Sequence, residues 1–269
     1  MFTSCTTKLL ARLNGIMHIR EIGLSPLKGG RHQPRETVSL AVDGPIGDRE
    51  FAVVDRNTGT ILKTVEHPLL VRCEARWADG VLAVAFESRR VAAEPEMTDE
   101  YLDLDYWGRF TAMQVIEGPW ATEFSRLLGR SVTLARSTVT GSVVYGDSVT
   151  ITTSSSLARL AGESQTAVDT RRFRGTFTID TGDADAHVED SWAGHELELG
   201  GALLLVKGGI PRCAVIDIDP DTGARGTHLL KTLANYRLQA SDIMFGVYAE
   251  VIRPGTVSVG DHVRVVPPH

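Results

Sequence analysis

The sequence predicts a strand-dominated α+β fold built from two β-rich parts with a few helices. Short runs of β-branched and aromatic residues recur between turn dipeptides along the chain. Only three segments carry helical periodicity together with start or stop residues. No long alternation of strand and helix is present, and no glycine-rich phosphate loop or dinucleotide fingerprint follows a strand, so a doubly wound nucleotide-binding sheet is disfavoured.

Residues 1–16 hold only Leu9-Leu10-Ala11 as an apolar run, too short for a secretory segment, and read as a disordered tail or an over-long start, with Met17 an equally good first residue. Strands are expected at Ile19–Leu24, Thr37–Val42, Phe51–Val54, Thr60–Val65, Leu70–Ala75 and Val81–Phe86. Asp43-Gly44 and Asp79-Gly80 supply tight turns, and Asn57-Thr58-Gly59 reads as a hairpin connection. The acidic stretch Glu94–Asp105 reads as a solvated loop. Pro119–Gly129 is a helix with proline in its first turn, glycine at its end and an apolar stripe between. Strands follow at Ser131–Arg136 and Val149–Thr153, then a short helix capped within Ser154-Ser155-Ser156 and stopped by Gly162. Further strands are expected at Phe177–Asp180, Leu197–Leu199, Ala202–Val206, Ala214–Ile218, Phe245–Ile252 and Val263–Val266. One helix, His228–Arg237, has Leu229, Leu230, Leu233 and Tyr236 on one face.

The 269 residues can bury one or two cores. A formal net charge of −6 argues against nucleic acid and requires any anion site to be a local basic cluster. No apolar run is long enough to span a membrane. Cys5, Cys73 and Cys213 form neither a disulfide framework nor a metal knuckle, which fits a reducing cytoplasm. None of the eight histidines is spaced as a metal pair or stands beside a nucleophile, so zinc and Ser-His-Asp chemistry lack support.

Cys213 carries two readings. A lone cysteine beside Ala-Val-Ile-Asp-Ile is commonly a small core hydrophobe. Against that, Gly208-Gly209-Ile210-Pro211-Arg212 places it where a loop enters a strand, beside a guanidinium that would favour its thiolate. The run Ile210–Gly223, with Pro211-Arg212-Cys213 and Asp219-Pro220-Asp221-Thr222-Gly223, resembles the signature of MOSC domains, the molybdenum cofactor sulfurase C-terminal family. Leu229–Arg237, Phe245-Gly246-Val247-Tyr248 and Pro254–Val263 follow in the order of that domain. Upstream, Leu24–Gly30, Gly47–Asp55 and Glu66-His67-Pro68-Leu69 are similar to the N-terminal β-barrel domain of the amidoxime-reducing components and their bacterial relatives. The resemblance covers residues 17–269 and implies a β-barrel-like N-terminal domain over 17–136 packed on a MOSC β-barrel over 137–269, with interleaving allowed and a few peripheral helices.

The resemblance further implies that Cys213 ligates molybdenum held by a pyranopterin, a soft thiolate suiting a metal already bound by two sulfurs. It assigns cofactor binding to Lys28, the backbone at Gly29, Arg49, Arg174, Pro211 and Arg212, with Asp147, Ser148, Thr176 and Tyr248 lining the pocket. By default the cations are solvated charges and Tyr248 a core aromatic. His67 reads as structural, and Asp219 as the start of a turn. The chain departs from the family where Gly29 replaces a serine, Gly175-Thr176 a Pro-Asn, Val65 an arginine and Ile210 a cysteine. The implied activity is reduction of N-hydroxylated compounds by oxygen-atom transfer. With no flavin, haem or iron-sulfur motif, and the chain ending at His269 without a ferredoxin-like domain, a separate flavoprotein, ferredoxin or cytochrome is the expected electron donor. The rivals are a sulfur carrier using a Cys213 persulfide and a non-catalytic binding module.

Overall fold

The computed structural model describes residues 17–106, 108–144 and 146–267; the expected tail over 1–16 lies outside them. Seven strands follow one another around a barrel in the order His18–Leu24, Phe177–Asp180, Val149–Thr153, Asp242–Arg253, Ala202–Pro211, Glu196–Leu199, Val263–Val266. The ring closes because Ile19 N–H donates to the Asp261 carbonyl at 2.8 Å and Val263 N–H to that of Met17 at 3.0 Å. All but one of its ladders are antiparallel; Val149–Thr153 and Phe177–Asp180 run parallel, which demands a crossover. Helix α2 (Ser154–Ser164) supplies it. The period-2 alternation sends Ile19, Ile151, Phe177, Leu197, Leu204, Val247 and Val263 inward, filling the barrel with side chains.

A second five-stranded sheet has the order Glu96–Tyr106, Arg109–Glu117, Val132–Ser137, Phe51–Asp55, Thr60–Ile61. Helix α1 (Trp120–Leu128) ends at left-handed Gly129 and drives Trp120 and Phe124 into a core with Phe51, Val53 and Leu134. A three-stranded meander, Glu74–Ala78, Val81–Ala85 and Arg90–Ala93, adds Leu82 and Val84 to that core. Its first hairpin turns on Asp79 and Gly80, both at positive φ, the conformation a two-residue turn requires. The two sheets interleave along the chain. Thr37–Ala41 pairs with Gly255–Ser258, and Lys28 N–H donates to the Phe51 carbonyl at 2.7 Å where the first barrel strand hands over to the second sheet. Helix α3 (Leu229–Arg237) packs its Leu229 and Leu233 with Leu160 and Phe245 outside the barrel. No helix among the described residues is long and apolar enough to cross a membrane.

Several expectations are corrected. Leu70–Ala75 is a 3-10 turn, Pro68–Arg72, followed by a strand beginning at Glu74, because Pro68 fixes a first-turn φ and Leu70 and Val71 both reach the core. Thr60–Val65 keeps only two strand residues before turning at Lys63, whose carbonyl accepts from Glu66 and His67. The acidic loop is the strand Glu96–Tyr106: inward Leu102, Leu104 and Tyr106 alternate with outward carboxylates, and the charge masked that pattern. Helix α2 is capped by Thr153, whose hydroxyl accepts from Ser156 N–H, and runs through Gly162 to left-handed Gln165. Ala214–Ile218 is a 3-10 turn over Ala214–Asp217.

Candidate functional site

The strand Ala202–Pro211 ends one residue before Arg212, so Cys213 caps the 3-10 turn instead of entering a strand. Its thiol is free and exposed, which removes the core-hydrophobe reading. Arg212 beside it is held from three directions. Its N–H donates to the Ile243 carbonyl at 2.8 Å, its Nε to that of Phe245 at 2.8 Å and its Nη1 to that of Phe173 at 3.1 Å.

Opposite lies the segment Asp169–Thr176. Its 3-10 turn, Thr170–Phe173, is capped by the Asp169 carboxylate on Arg171 N–H at 2.9 Å. Arg171 also grips Asp221, and Arg172 donates to the Ile218 carbonyl at 2.7 Å, tying the segment to the Asp219–Gly223 turn. Within that turn the Asp219 carboxylate accepts from Asp221 N–H and from the Thr222 N–H and hydroxyl, the turn role expected of it. Arg174 then turns left-handed at φ 52°, with its carbonyl taken by Arg49 Nη2 at 2.9 Å, and Arg49 is itself left-handed at φ 52°. Two non-glycine residues in that region cost about 1–3 kcal/mol each and persist only where their surroundings fix them. Here those surroundings are a buried Arg49–Asp48 ion pair, with Asp48 also accepting from Ser25 N–H at 2.8 Å.

Lys28, Arg49 and Arg174 therefore form one cluster around Asp48, which is ion-paired to Arg49, and Cys213 stands near Lys28 and Arg212. Burial, then the Arg49 and Arg174 charges, hold the Lys28 ammonium well below its ordinary range, opposed by Asp48 and Cys213. Burial lowers Arg174 to about 10, and Arg49 adds to it. Burial likewise lowers Arg212 to about 10, opposed by Tyr248, Cys213 and Glu189. A bound anion would relieve all three. Arg174 Nη2 and Arg212 Nη2 are buried donors without a protein partner, directly at this cluster. Unspent planar guanidinium donors suit the phosphate and ring carbonyl of a pterin. Among the described residues no three His, Cys, Asp or Glu side chains converge as a metal cage, and Cys213 offers a single soft sulfur. The donor set fits a metal carried by a dithiolene.

The remaining expected residues divide. The inward alternation of Val247 and Ala249 puts Tyr248 on the outer barrel face, buried beneath Gly146, where a Cβ would stand 2.6 Å from its ring. It is thus no barrel-core aromatic. Asp147 and Ser148 are half-buried in the segment that follows Gly146. Thr176, 1 % exposed, is stitched to the barrel wall: Thr150 N–H donates to its hydroxyl at 3.2 Å, and its own N–H to the Thr150 hydroxyl at 3.1 Å. Gly29 has φ 80° and abuts Leu70 and Thr64, so a serine there would be strained. Pro211 pairs with Met244 and fixes the strand end before Cys213. At Val65, Arg225 donates to the backbone carbonyl and puts a guanidinium at the corner where the family's arginine is missing. Sequence reasoning missed Asp48, His32 and Tyr106. The Tyr106 ring lies 4.8 Å beneath Lys28 Nζ, and His32 Nε2 meets the Gly175 carbonyl at 3.0 Å. Only Asp48, adjacent to Arg49, had any local signal.

Comparison with known proteins matches the MOSC N-terminal beta barrel domain to residues 16–114 and the MOSC domain to residues 127–264. Mitochondrial amidoxime-reducing component 1 of Homo sapiens is 33 % identical over 135 residues, 46 % of this chain and 39 % of that protein. A molybdenum cofactor sulfurase of Solanum lycopersicum is 35 % identical over 91 residues, 33 % of this chain and 11 % of that protein, and one of Oryza sativa 24 % over 269 residues, 86 % and 32 %. The chain spans less than two-fifths of the length of these relatives. Among solved structures, the YUAD protein of Bacillus subtilis aligns at TM-score 0.45 and 11 % identity, over 94 % of this chain and 97 % of that one.

Proposed function

The chain belongs to the MOSC domain family and carries the MOSC N-terminal beta barrel domain ahead of it; from that premise we propose that it is a molybdenum-cofactor oxidoreductase acting on N-hydroxylated compounds such as amidoximes and hydroxylamines. The observation that carries the reading is the pair of unspent buried donors, Arg174 Nη2 and Arg212 Nη2, set in a cluster of cations beside an exposed free thiol. When bound, the group supplies two-electron oxygen-atom transfer. The chain's own part is to bind and orient. Cys213 would supply the protein sulfur ligand. Arg174 and Arg212, through their uncommitted Nη2 donors, would hold the pterin, and Lys28 and Arg49 would add positive charge around it. Tyr248, with Asp147 and Ser148, walls the pocket, and Pro211 and Gly29 hold the backbone that flanks it. The division of labour is an N-terminal domain over 17–136 and a MOSC domain over 137–269 that borrows the strand His18–Leu24. Electrons come from a separate flavoprotein, ferredoxin or cytochrome. Protein purified from a host that makes the cofactor is expected to hold about one molybdenum and one pterin per chain, and metal-free, pterin-free protein from that host would overturn the reading.

The relatives named molybdenum cofactor sulfurase, together with the exposure of Cys213, favour one second reading: a persulfide carried on Cys213 for transfer to another centre. Intact-mass analysis that found a reducible extra sulfur on Cys213, in protein free of molybdenum, would select it.

A further inference from the structure

The carbonyls of Phe173, Arg174, Gly175 and Thr176, four in succession, are each claimed by a group from a different part of the chain. Arg212 takes the first, Arg49 the second, His32 Nε2 the third at 3.0 Å, and the N–H of Gly23 the fourth at 3.0 Å. Two of those groups are site cations and one is backbone. His32 is the remaining member, without an assigned role. It is 7 % exposed, and both its chain neighbours are anchored, Arg31 by its N–H to the Cys73 carbonyl at 2.8 Å and Gln33 by its side-chain Nε2 to the Ala75 carbonyl at 2.6 Å. A carbonyl can only accept, so Nε2 carries a proton; burial, then the Arg174 and Arg49 charges, hold the imidazole well below its ordinary range and disfavour a second one. The ring rests on Gly23, where any Cβ would run into it.

We propose that His32, seated on Gly23, is a positioning residue for Arg174: by holding the Gly175 carbonyl it fixes the left-handed backbone of Arg174 and keeps its uncommitted guanidinium nitrogen available to an anionic ligand of the cluster. The proposal deepens the reading above, since that ligand is taken there to be the pyranopterin. His32 never touches the cofactor; it acts through Arg174. A left-handed arginine relaxes unless its peptide neighbours are fixed, and of the grips on this segment the imidazole is the one immediately after Arg174.

Three variants test it: His32→Leu removes the donor, Gly23→Ala displaces an intact imidazole, and His32→Gln returns an N–H donor at the Nε2 position. Crystal structures of the cofactor-free variants read the Arg174 φ. Pterin and molybdenum retained after dialysis of the loaded proteins read the consequence. His32→Leu and Gly23→Ala are expected to release Arg174 from the left-handed region and to weaken cofactor retention about tenfold, the loss of one buried hydrogen bond, while His32→Gln restores both. A His32→Leu protein with Arg174 unmoved and retention equal to the parent would overturn the proposal. Parent protein that binds no cofactor would overturn the function reading instead, and the Arg174 backbone would still decide for or against His32. Should Gly23→Ala not fold, the two His32 variants carry the same decision.

Discussion

Cys213 and Arg212 are neighbours in sequence, so the motif that proposes them as site residues is contiguous and legible without a structure. Arg49 and Arg174 lie 125 residues apart and meet through a single hydrogen bond, so their partnership rests on fold and was reachable only through the resemblance. His32 and Tyr106 had no signal at all, because a lone histidine and a tyrosine in an acidic stretch look like ordinary filling. Two predictions belong here. Cys213→Ser touches an exposed side chain, so its melting temperature should match the parent within about 1 °C while bound molybdenum falls below a tenth. Arg49→Ala strands the buried Asp48 carboxylate and the Arg174 carbonyl, and urea unfolding should show a loss of about 3 kcal/mol.

Strand and helix positions were legible wherever the apolar period was clean, as in His18–Leu24, Phe51–Asp55 and helix α1. They were lost where charge sat on the outward face, as in Glu96–Tyr106, or where a continuous apolar run was wound as a 3-10 turn, as in Pro68–Arg72 and Ala214–Asp217. Periodicity over four residues cannot separate a buried turn from a strand. Helix α2 starts at Thr153, whose hydroxyl also lies 2.8 Å from Oε2 of the fully buried Glu189. Thr153→Ala removes the cap and one of the carboxylate's donors, and should cost about 2 kcal/mol by denaturant titration. The same helical layer should set a pH dependence. Burial, then Arg237, pushes the His187 imidazole down from 6.5 to about 4, so the unfolded chain binds the proton that the folded chain refuses. Stability should therefore fall as pH drops from about 6.5 to about 4, and His187→Phe should flatten that limb of a melting-temperature profile relative to the parent.

On the scale of the whole molecule, the barrel is closed by its first strand, which comes from the far end of the sequence from most of its partners. A chain begun at residue 127, where the MOSC match begins, lacks His18–Leu24 and the partner of Gly255–Ser258, and should show no cooperative thermal transition by circular dichroism. The β-dominated class and its two barrel-like parts were readable from turn spacing and resemblance; interleaving was allowed for, but which segments exchange was not readable, because pairing between residues 18 and 262 leaves no local mark. That interleaving also brings together the residues of the proposed site, Lys28 and Arg49 from the first part and Arg174, Arg212 and Cys213 from the second. The central claim is that these residues hold a dithiolene-bound molybdenum with Cys213 as its protein ligand. X-ray absorption at the molybdenum edge counts the sulfurs directly. The account predicts three in the parent protein and two in Cys213→Ser loaded with the same pterin, whereas an unchanged sulfur count in that variant would contradict it.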